Sequence, residues 1–279
     1  MSSNPPGPLA ALLPHGATSP ADAREVEDLG YRTLWVSQSP PADLVHVESL
    51  LAATNSLVVG TDIVNVFTAP AATVAESFHR IEAAHPGRLI LGIGVGHSEH
   101  LSQYRRPVAM LASYLDELTG AGVPKERMAL AALGPRVLGL ARDRTGGALP
   151  YFVTPEHTER AREILGDHAF LSVGQSVVLD ADPVRARELA APTANVYLGL
   201  RNYTANLRRL GFAEQDLAVP AADHLIDSII AHGGVEEVTS RLREHLSNGA
   251  DQVAVAVLAR DASPLPALRA LAREFTTTV

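Results

Sequence analysis

Three short stretches of the chain hold residue types that could do chemistry. The first is Gly92-Ile93-Gly94-Val95-Gly96-His97-Ser98-Glu99-His100. Histidine titrates near working pH, so His97, at the expected carboxyl end of a strand, suits an acid/base or a hydrogen-bond donor to a ligand. His100 reads more simply as a solvated loop residue. With Glu99 the two histidines make only a weak metal signal, because no third ligand stands at a metal-like spacing, and no metal is expected. The glycines are not a dinucleotide fingerprint. That motif puts them in a strand-to-helix turn, whereas Gly92 and Gly94 fall inside an apolar strand. Glycine inside a strand marks a close approach, either by a flat ring or by the side chains of a crowded barrel interior. Both readings stand.

The second stretch is Ala131-Ala132-Leu133-Gly134-Pro135-Arg136, which ends a strand and opens a helix. Small residues expose backbone N–H groups, Pro135 suits a first helical turn, and a helix N-terminus with Arg136 beside it could hold a phosphate. A tight connection built of small residues explains the same sequence without a ligand. The third is Thr61-Asp62-Ile63-Val64-Asn65, where a carboxylate interrupts an apolar run. Such an Asp lies at an exposed strand end or is hydrogen-bonded inside. Tyr151 and Thr154 lie at the end of the sixth strand candidate, where a ring and a hydroxyl are available.

These stretches need a scaffold that brings strand ends together. Eight apolar runs read as strands: Leu9–Leu13, Thr33–Gln38, Leu57–Phe67, Leu89–His97, Arg127–Leu133, Ala148–Val153, Phe170–Leu179 and Gln252–Leu258. They are nearly continuous rather than alternating, as strands buried on both faces are. Helical patterns lie between them. Ser19-Pro20 and Thr154-Pro155 each give a cap followed by Pro, and the patterns close near Gly30, His85-Pro86-Gly87 and Gly166. The alternation predicts right-handed βαβ units and an α/β fold, a closed (β/α)8 TIM barrel rather than an open doubly wound sheet. About seventy residues separate the last two strand candidates. They carry helical patterns at Pro183–Ala191, Ala194–Leu210, His224–His232 and Glu236–Asn248, and no strand is expected among them. The whole chain, 1–279, reads as a single domain with a helical insertion over about 180–251 on the active-site side.

Composition agrees with that scaffold. Of 279 residues, 46% are hydrophobic and only 5% aromatic, so the core is built of small and branched side chains. The chain has 23 basic and 31 acidic residues, a formal net charge of −8, and no basic stripe with interleaved aromatics, so no nucleic-acid partner is expected. There is no cysteine, which excludes disulfides and thiolate chemistry. The apolar run near the N-terminus is too short for a signal core or a span, so no membrane partner and a cytoplasmic setting are expected. Glu25, Glu27 and Asp28 read as a solvated helix face.

Taken together, the segments resemble the luciferase-like monooxygenase superfamily, and most of all its branch of oxidoreductases dependent on the deazaflavin coenzyme F-420. HPGRLILGIGVGH resembles the family's PGR-[FL]-x-LG-[IL]-G-x-x-H stretch. LAALGPRVLGLARDRTGGALPYFVTPEHTERAREILG resembles its fifth strand, phosphate loop, sixth strand and next helix. Asn202-Tyr203, Asn206 through Phe212, Glu244-His245 and Gly249-Ala250-Asp251 resemble its C-terminal third. The resemblance implies a barrel with an insertion before the last strand. It implies a deazaflavin ring at a bulged third strand with a non-prolyl cis peptide, by position Asp62–Ile63. It places the acid/base on His97 and the phosphate on the backbone of Ala131, Ala132, Leu133 and Gly134. Gln38, Ser39, Asp62, Ile63, Val64, Asn65, Gly96, Ser98, Arg136, Tyr151 and Thr154 complete the implied cofactor site. The implied activity is hydride transfer between coenzyme F-420 and a small organic substrate. FMN is the alternative cofactor, with a luciferase-like monooxygenase as the alternative activity. A non-catalytic barrel that binds a ligand or a partner also stays open. Relatives often form dimers, so a homodimer is the assembly the resemblance implies. Gln38 and Ser39 stand where members often carry an acid followed by a polar residue, and Asp62 stands where they often carry Gly.

Overall fold

The computed structural model describes residues 6–96, 107–259 and 262–277. In chain order the strands are β1 (Leu9–Pro14), β2 (Thr33–Ser37), β3 (Val58–Asp62), β4 (Val64–Asn65), β5 (Leu89–Gly94), β6 (Met128–Leu130), β7 (Gly147–Ala148), β8 (Phe170–Leu179), β9 (Ala231–Gly233) and β10 (Gln252–Val257). The helices are α1 (Pro20–Asp28), α2 (Val45–Ala52), α3 (Ala71–Ala84), α4 (Pro107–Gly120), α5 (Pro135–Arg144), α6 (Pro155–Leu165), α7 (Pro183–Leu198), α8 (Arg201–Leu210), α9 (Asp223–Ile229), α10 (Val235–Ser247) and α11 (Leu265–Thr277).

All pairings are parallel. The order runs β10, β1, β2, β3, β5, β6, β7, β8, and β8 pairs back to β10 through Gln252 opposite Ser172 to Val257 opposite Val177. The sheet therefore closes into the expected barrel, a parallel α/β barrel with helices around it. Its eight staves count β3 and β4 as one, interrupted at Ile63, because β3 and β4 both pair β5. β9 lies outside the staves and pairs the last residues of β8.

Several elements differ from the sequence reading. The third candidate strand breaks at the cis peptide Asp62–Ile63, where the resemblance had put one. The sixth shrinks to Gly147–Ala148 plus a single bridge between Tyr151 and Gly174, since Phe152 adopts a left-handed φ of 56° that no strand continues through. The insertion does hold a strand, β9, supported by the free edge that β8 offers beyond its other neighbours. α7 runs through Pro192 to Leu198 rather than stopping near Ala191. Proline removes one backbone donor but only weakens a helix whose Ala186, Ala190 and Ala194 face is buried. Glu27 is not merely solvated. Its carboxylate accepts from the backbone N–H groups of Asn55, Ser56 and Leu57 and holds the turn before β3, and Glu25 pairs with Arg269.

Local chemistry explains most helix starts. Ser19 and Asp22 form a reciprocal capping box ahead of Pro20, and Asp182 caps α7 ahead of Pro183. Thr154 stands at the N-cap of α6, yet its hydroxyl does not cap the backbone.

Three apolar cores result. The largest fills the space between staves and helices, including Leu34, Leu51, Phe78, Ile81, Leu91 and Leu171. The barrel interior is small: Ala10, Leu12, Trp35, Ala129, Leu149 and Ala254. A third core packs α7, α8 and α9 over Phe152 and Val178 at the carboxyl ends of the staves. No described helix is long and apolar enough to cross a membrane.

Candidate functional site

The carboxyl ends of the staves and the insertion helices enclose a cavity of about 1470 Å³. Its floor is the barrel interior, through Leu12 and Leu149. That floor is fixed from beneath by Trp35, whose indole N–H donates to Gln252 Oε1 at 2.9 Å.

The sequence-derived candidates divide into three groups. Gln38, Ser39, Asp62, Ile63, Asn65, Gly96, Ala131, Ala132, Leu133, Gly134 and Tyr151 all line the cavity. Val64, Arg136 and Thr154 do not. Val64 is wholly buried in the outer core, Thr154 is buried, and Arg136 is exposed on the first turn of α5. His97 and Ser98 lie outside the described residues, as do Glu99 and His100.

The β2 end is conformationally unusual. Gln38 and Ser39 are consecutive non-glycine residues with φ of 66° and 49°. Left-handed backbone at two adjacent side-chain-bearing residues is held only by surrounding structure, and such positions cluster at functional sites.

The glycines of β5 answer to packing. A Cβ on Gly92 would stand 1.9 Å from the Thr61 carbonyl oxygen, and one on Gly94 would stand 2.8 Å from Ile63 Cγ1. They make room for the neighbouring stave, so the crowded-interior reading accounts for them. Gly96 has φ of 61°, and a Cβ there would stand 2.5 Å from Asn65 Nδ2.

At one end of the cavity stands Asp62. Among the described residues its carboxyl has no hydrogen-bond partner, and desolvation pushes its pKa from 3.8 up to about 7. Opposite it are Tyr151, Tyr197 and Tyr203, whose phenols all feel the Asp62 charge. Tyr151 meets Ser176 Oγ at 2.6 Å, and Tyr197 donates to Tyr151. The Tyr197 ring stacks on Phe152 at 4.8 Å and meets Tyr203 edge-on at 4.7 Å. Gly174 lets the Tyr151 ring take its place, since a Cβ there would fall 2.5 Å from Tyr151 Cδ2.

At the other end Gly134 is the N-cap of α5, with no side chain capping the helix. Arg209 of α8 reaches this point, its Nη2 3.4 Å from where a Gly134 Cβ would be. Arg209 donates to Asn206 Oδ1 at 3.3 Å and forms no salt bridge among the described residues. His157 braces the loop from below, its Nε2 donating to the Leu133 carbonyl at 2.8 Å, and burial holds its pKa below the usual value so that it is neutral. An uncapped helix N-terminus beside an uncompensated guanidinium offers the donors and charge that an anion needs.

Sequence reasoning missed Tyr197, Tyr203, Arg209 and His157 as site residues. The available signals were Asn202-Tyr203 and Asn206 through Phe212, within the helical excursion expected to cover the active site, and His157 in the stretch after the sixth strand. Nothing in those patterns says which face of α7 or α8 turns inward.

The comparisons with known proteins agree with this architecture. A family model for luciferase-like monooxygenases matches residues 20–120, which include the β5 stretch on which the resemblance rests. Among solved structures, an F-420-dependent secondary alcohol dehydrogenase in complex with an F-420–acetone adduct superposes with a TM-score of 0.75 at 12% identity, over 97% of this chain and 98% of that one. The coenzyme F-420-dependent tetrahydromethanopterin reductase of Methanopyrus kandleri gives 0.70 at 15% identity, over 97% and 98%. The oxygenating constituent of 3,6-diketocamphane monooxygenase of Pseudomonas putida, in complex with FMN, gives 0.71 at 13% identity, over 98% and 99%. No curated protein matches the sequence significantly. The chain therefore has the parallel α/β barrel fold of these F-420-dependent and FMN-dependent enzymes, and its residues 20–120 are similar to the luciferase-like monooxygenases.

Proposed function

We propose that this protein is an oxidoreductase that exchanges a hydride between the deazaflavin coenzyme F-420 and a small organic substrate. The observation that carries the reading is the polarity of the cavity. One end presents the α5 N-terminus and Arg209, suited to a phosphate, and the other presents the Asp62–Ile63 face and the tyrosines. A ring-and-phosphate cofactor needs both ends in one concave site.

When bound, the deazaflavin supplies the hydride chemistry. The chain's own residues do the rest. The backbone of Ala131 to Gly134 with Arg209 would hold the phosphate, and His157 keeps that loop in place. Ile63 and Asn65 would set the ring position, and α7 and α8 exclude water above it. Arg136, exposed on the first turn of α5 and outside the cavity wall, would offer a cation to an acidic tail beyond the phosphate. That residue favours the deazaflavin over FMN, which has no such tail. The acid/base role that the resemblance gives to His97 falls outside the described residues.

Equilibrium titration of the purified protein with the deazaflavin and with FMN tests this. Micromolar binding of the deazaflavin is expected, weakened by about 10-fold in Arg209→Ala through loss of a charge-assisted hydrogen bond. Tighter binding of FMN would favour the monooxygenase reading. Binding of neither would favour a barrel without cofactor chemistry.

A further inference from the structure

Asp62 is an anomaly among the carboxylates of this chain. Asp251, by contrast, is paired: it meets Arg162 at 2.6 Å and accepts from the Leu171 backbone at 2.7 Å. Asp62 ends β3 in register with Ser37 and lines the cavity, yet among the described residues it has neither a cation nor a donor. A half-buried carboxyl on a cavity wall, with no cation or donor to stabilise its charge, is the kind of group found at functional sites.

What faces it is equally specific. The ionisable side chains in the cavity wall, among the described residues, are Asp22, Asp62, Tyr151, Tyr197, Tyr203 and Arg209. Arg209 lies at the Gly134 end, and Asp22 is engaged with Ser19 at the start of α1. The β2 end contributes only the neutral Ser37, Gln38 and Ser39, and the described end of β5 only Val95 and Gly96. The phenols are held by one another and by Ser176. Burial keeps the Asp62 proton available at neutral pH.

Resting on the oxidoreductase reading above, we propose that Asp62 is the acid/base of this site, exchanging a proton with the oxygen of an uncharged alcohol or carbonyl substrate. Among the described residues no cation stands beside Asp62, which disfavours anionic substrates, and the apolar floor of Leu12 and Leu149 favours uncharged ones. In the reducing direction the carbonyl carbon accepts a hydride from the reduced deazaflavin, which is thereby oxidised. The carbonyl π electrons move to oxygen, which takes the proton as the Asp62 O–H bond breaks, leaving an alcohol and a carboxylate. Oxidation of the alcohol runs the same exchange backwards.

Two measurements test the assignment. In the full chain labelled with carbon-13 at aspartate carboxyls, NMR titration without cofactor is expected to show one carboxyl with a midpoint near neutral pH, absent from Asp62→Asn. A spectrum in which every carboxyl titrates in the ordinary acidic range overturns the proposal. In single-turnover reactions of the loaded protein with simple ketones and alcohols, Asp62→Asn is expected to slow hydride transfer by about 100-fold. Its neutral-pH inflection disappears, and an unchanged far-UV circular dichroism spectrum and cooperative unfolding show that the variant is folded. His97→Ala is expected to keep that inflection. Unchanged rate and pH profile in Asp62→Asn, with the inflection lost in His97→Ala, overturns the role of Asp62 alone. Failure of the unsubstituted protein to bind either cofactor overturns the oxidoreductase reading, and the catalytic role with it.

Discussion

A carboxyl that keeps its proton to about pH 7 when folded, but ionises from 3.8 when unfolded, opposes folding as pH rises. Between those two values the folded chain binds more protons than the unfolded one, so stability falls with increasing pH and the full penalty remains above 7. For Asp62 this amounts to up to about 4 kcal/mol, reduced by whatever water the cavity admits. Asp62→Asn is therefore expected to raise unfolding stability by about 2–4 kcal/mol at pH 8 and to change it little at pH 4, as read by urea denaturation. At this scale the sequence was informative about position but not about cause. Asp62 stood out as a carboxylate in an apolar run, whereas its missing partners are a property of three tyrosines more than 80 residues away in the chain. The glycines were ambiguous in the sequence, and packing decides between their two readings. Gly92 and Gly94 could face a ring or a crowded interior, and their Cβ positions are claimed by Thr61 and Ile63.

At the scale of elements, periodicity and caps located nearly every stave and helix, because burial on both faces and cap-then-Pro junctions are local signals. The failures came where tertiary packing overrode a local rule. Proline did not end α7, and a free edge on β8 recruited β9. The stave glycines carry a stability prediction. Gly92→Ala forces a Cβ against the Thr61 carbonyl and disturbs the bond from Thr61 Oγ1 to Gly92 O, and should cost about 3 kcal/mol in chemical denaturation. Gly139→Ala, in α5 with open space around it, should stabilise by about 0.5–1 kcal/mol. Equal effects at the two sites would contradict the packing account of the β5 glycines.

At the scale of the whole molecule, a buried polar bridge ties β8 to the outer helices. His245 of α10 is fully buried, accepts from Thr158 at Nδ1 and donates from Nε2 to Gln175 Oε1, both at 2.7 Å. Gln175 donates in turn to the carbonyls of Ser176 and Ile229. Burial lowers the His245 pKa from 6.5 to about 3. The unfolded chain thus takes up a proton below 6.5 that the folded chain refuses, and stability is lost as pH falls from about 6.5 towards 3, by an amount on the order of 4 kcal/mol. Because Asp62 acts with the opposite sign over the same window, the loss is read in the Asp62→Asn background: denaturation at pH 7 and pH 4.5 should show it there, and a smaller one when His245→Gln is added. The sequence did make the global plan legible, since eight apolar runs with one long gap imply a closed barrel with a covering excursion. It could not show that the excursion supplies Tyr197, Tyr203 and Arg209 to the cavity, because which helix face turns inward is decided by packing on Phe152 and Val178.

The central claim is that one cavity holds a ring-and-phosphate cofactor between Asp62 and Gly134. A crystal structure of the protein with the deazaflavin bound tests it most directly. The account predicts the ring against Asp62–Ile63 and the phosphate between the α5 N-terminus and Arg209. A cofactor bound outside this cavity, or lying in it with the phosphate at the tyrosine end, would contradict it.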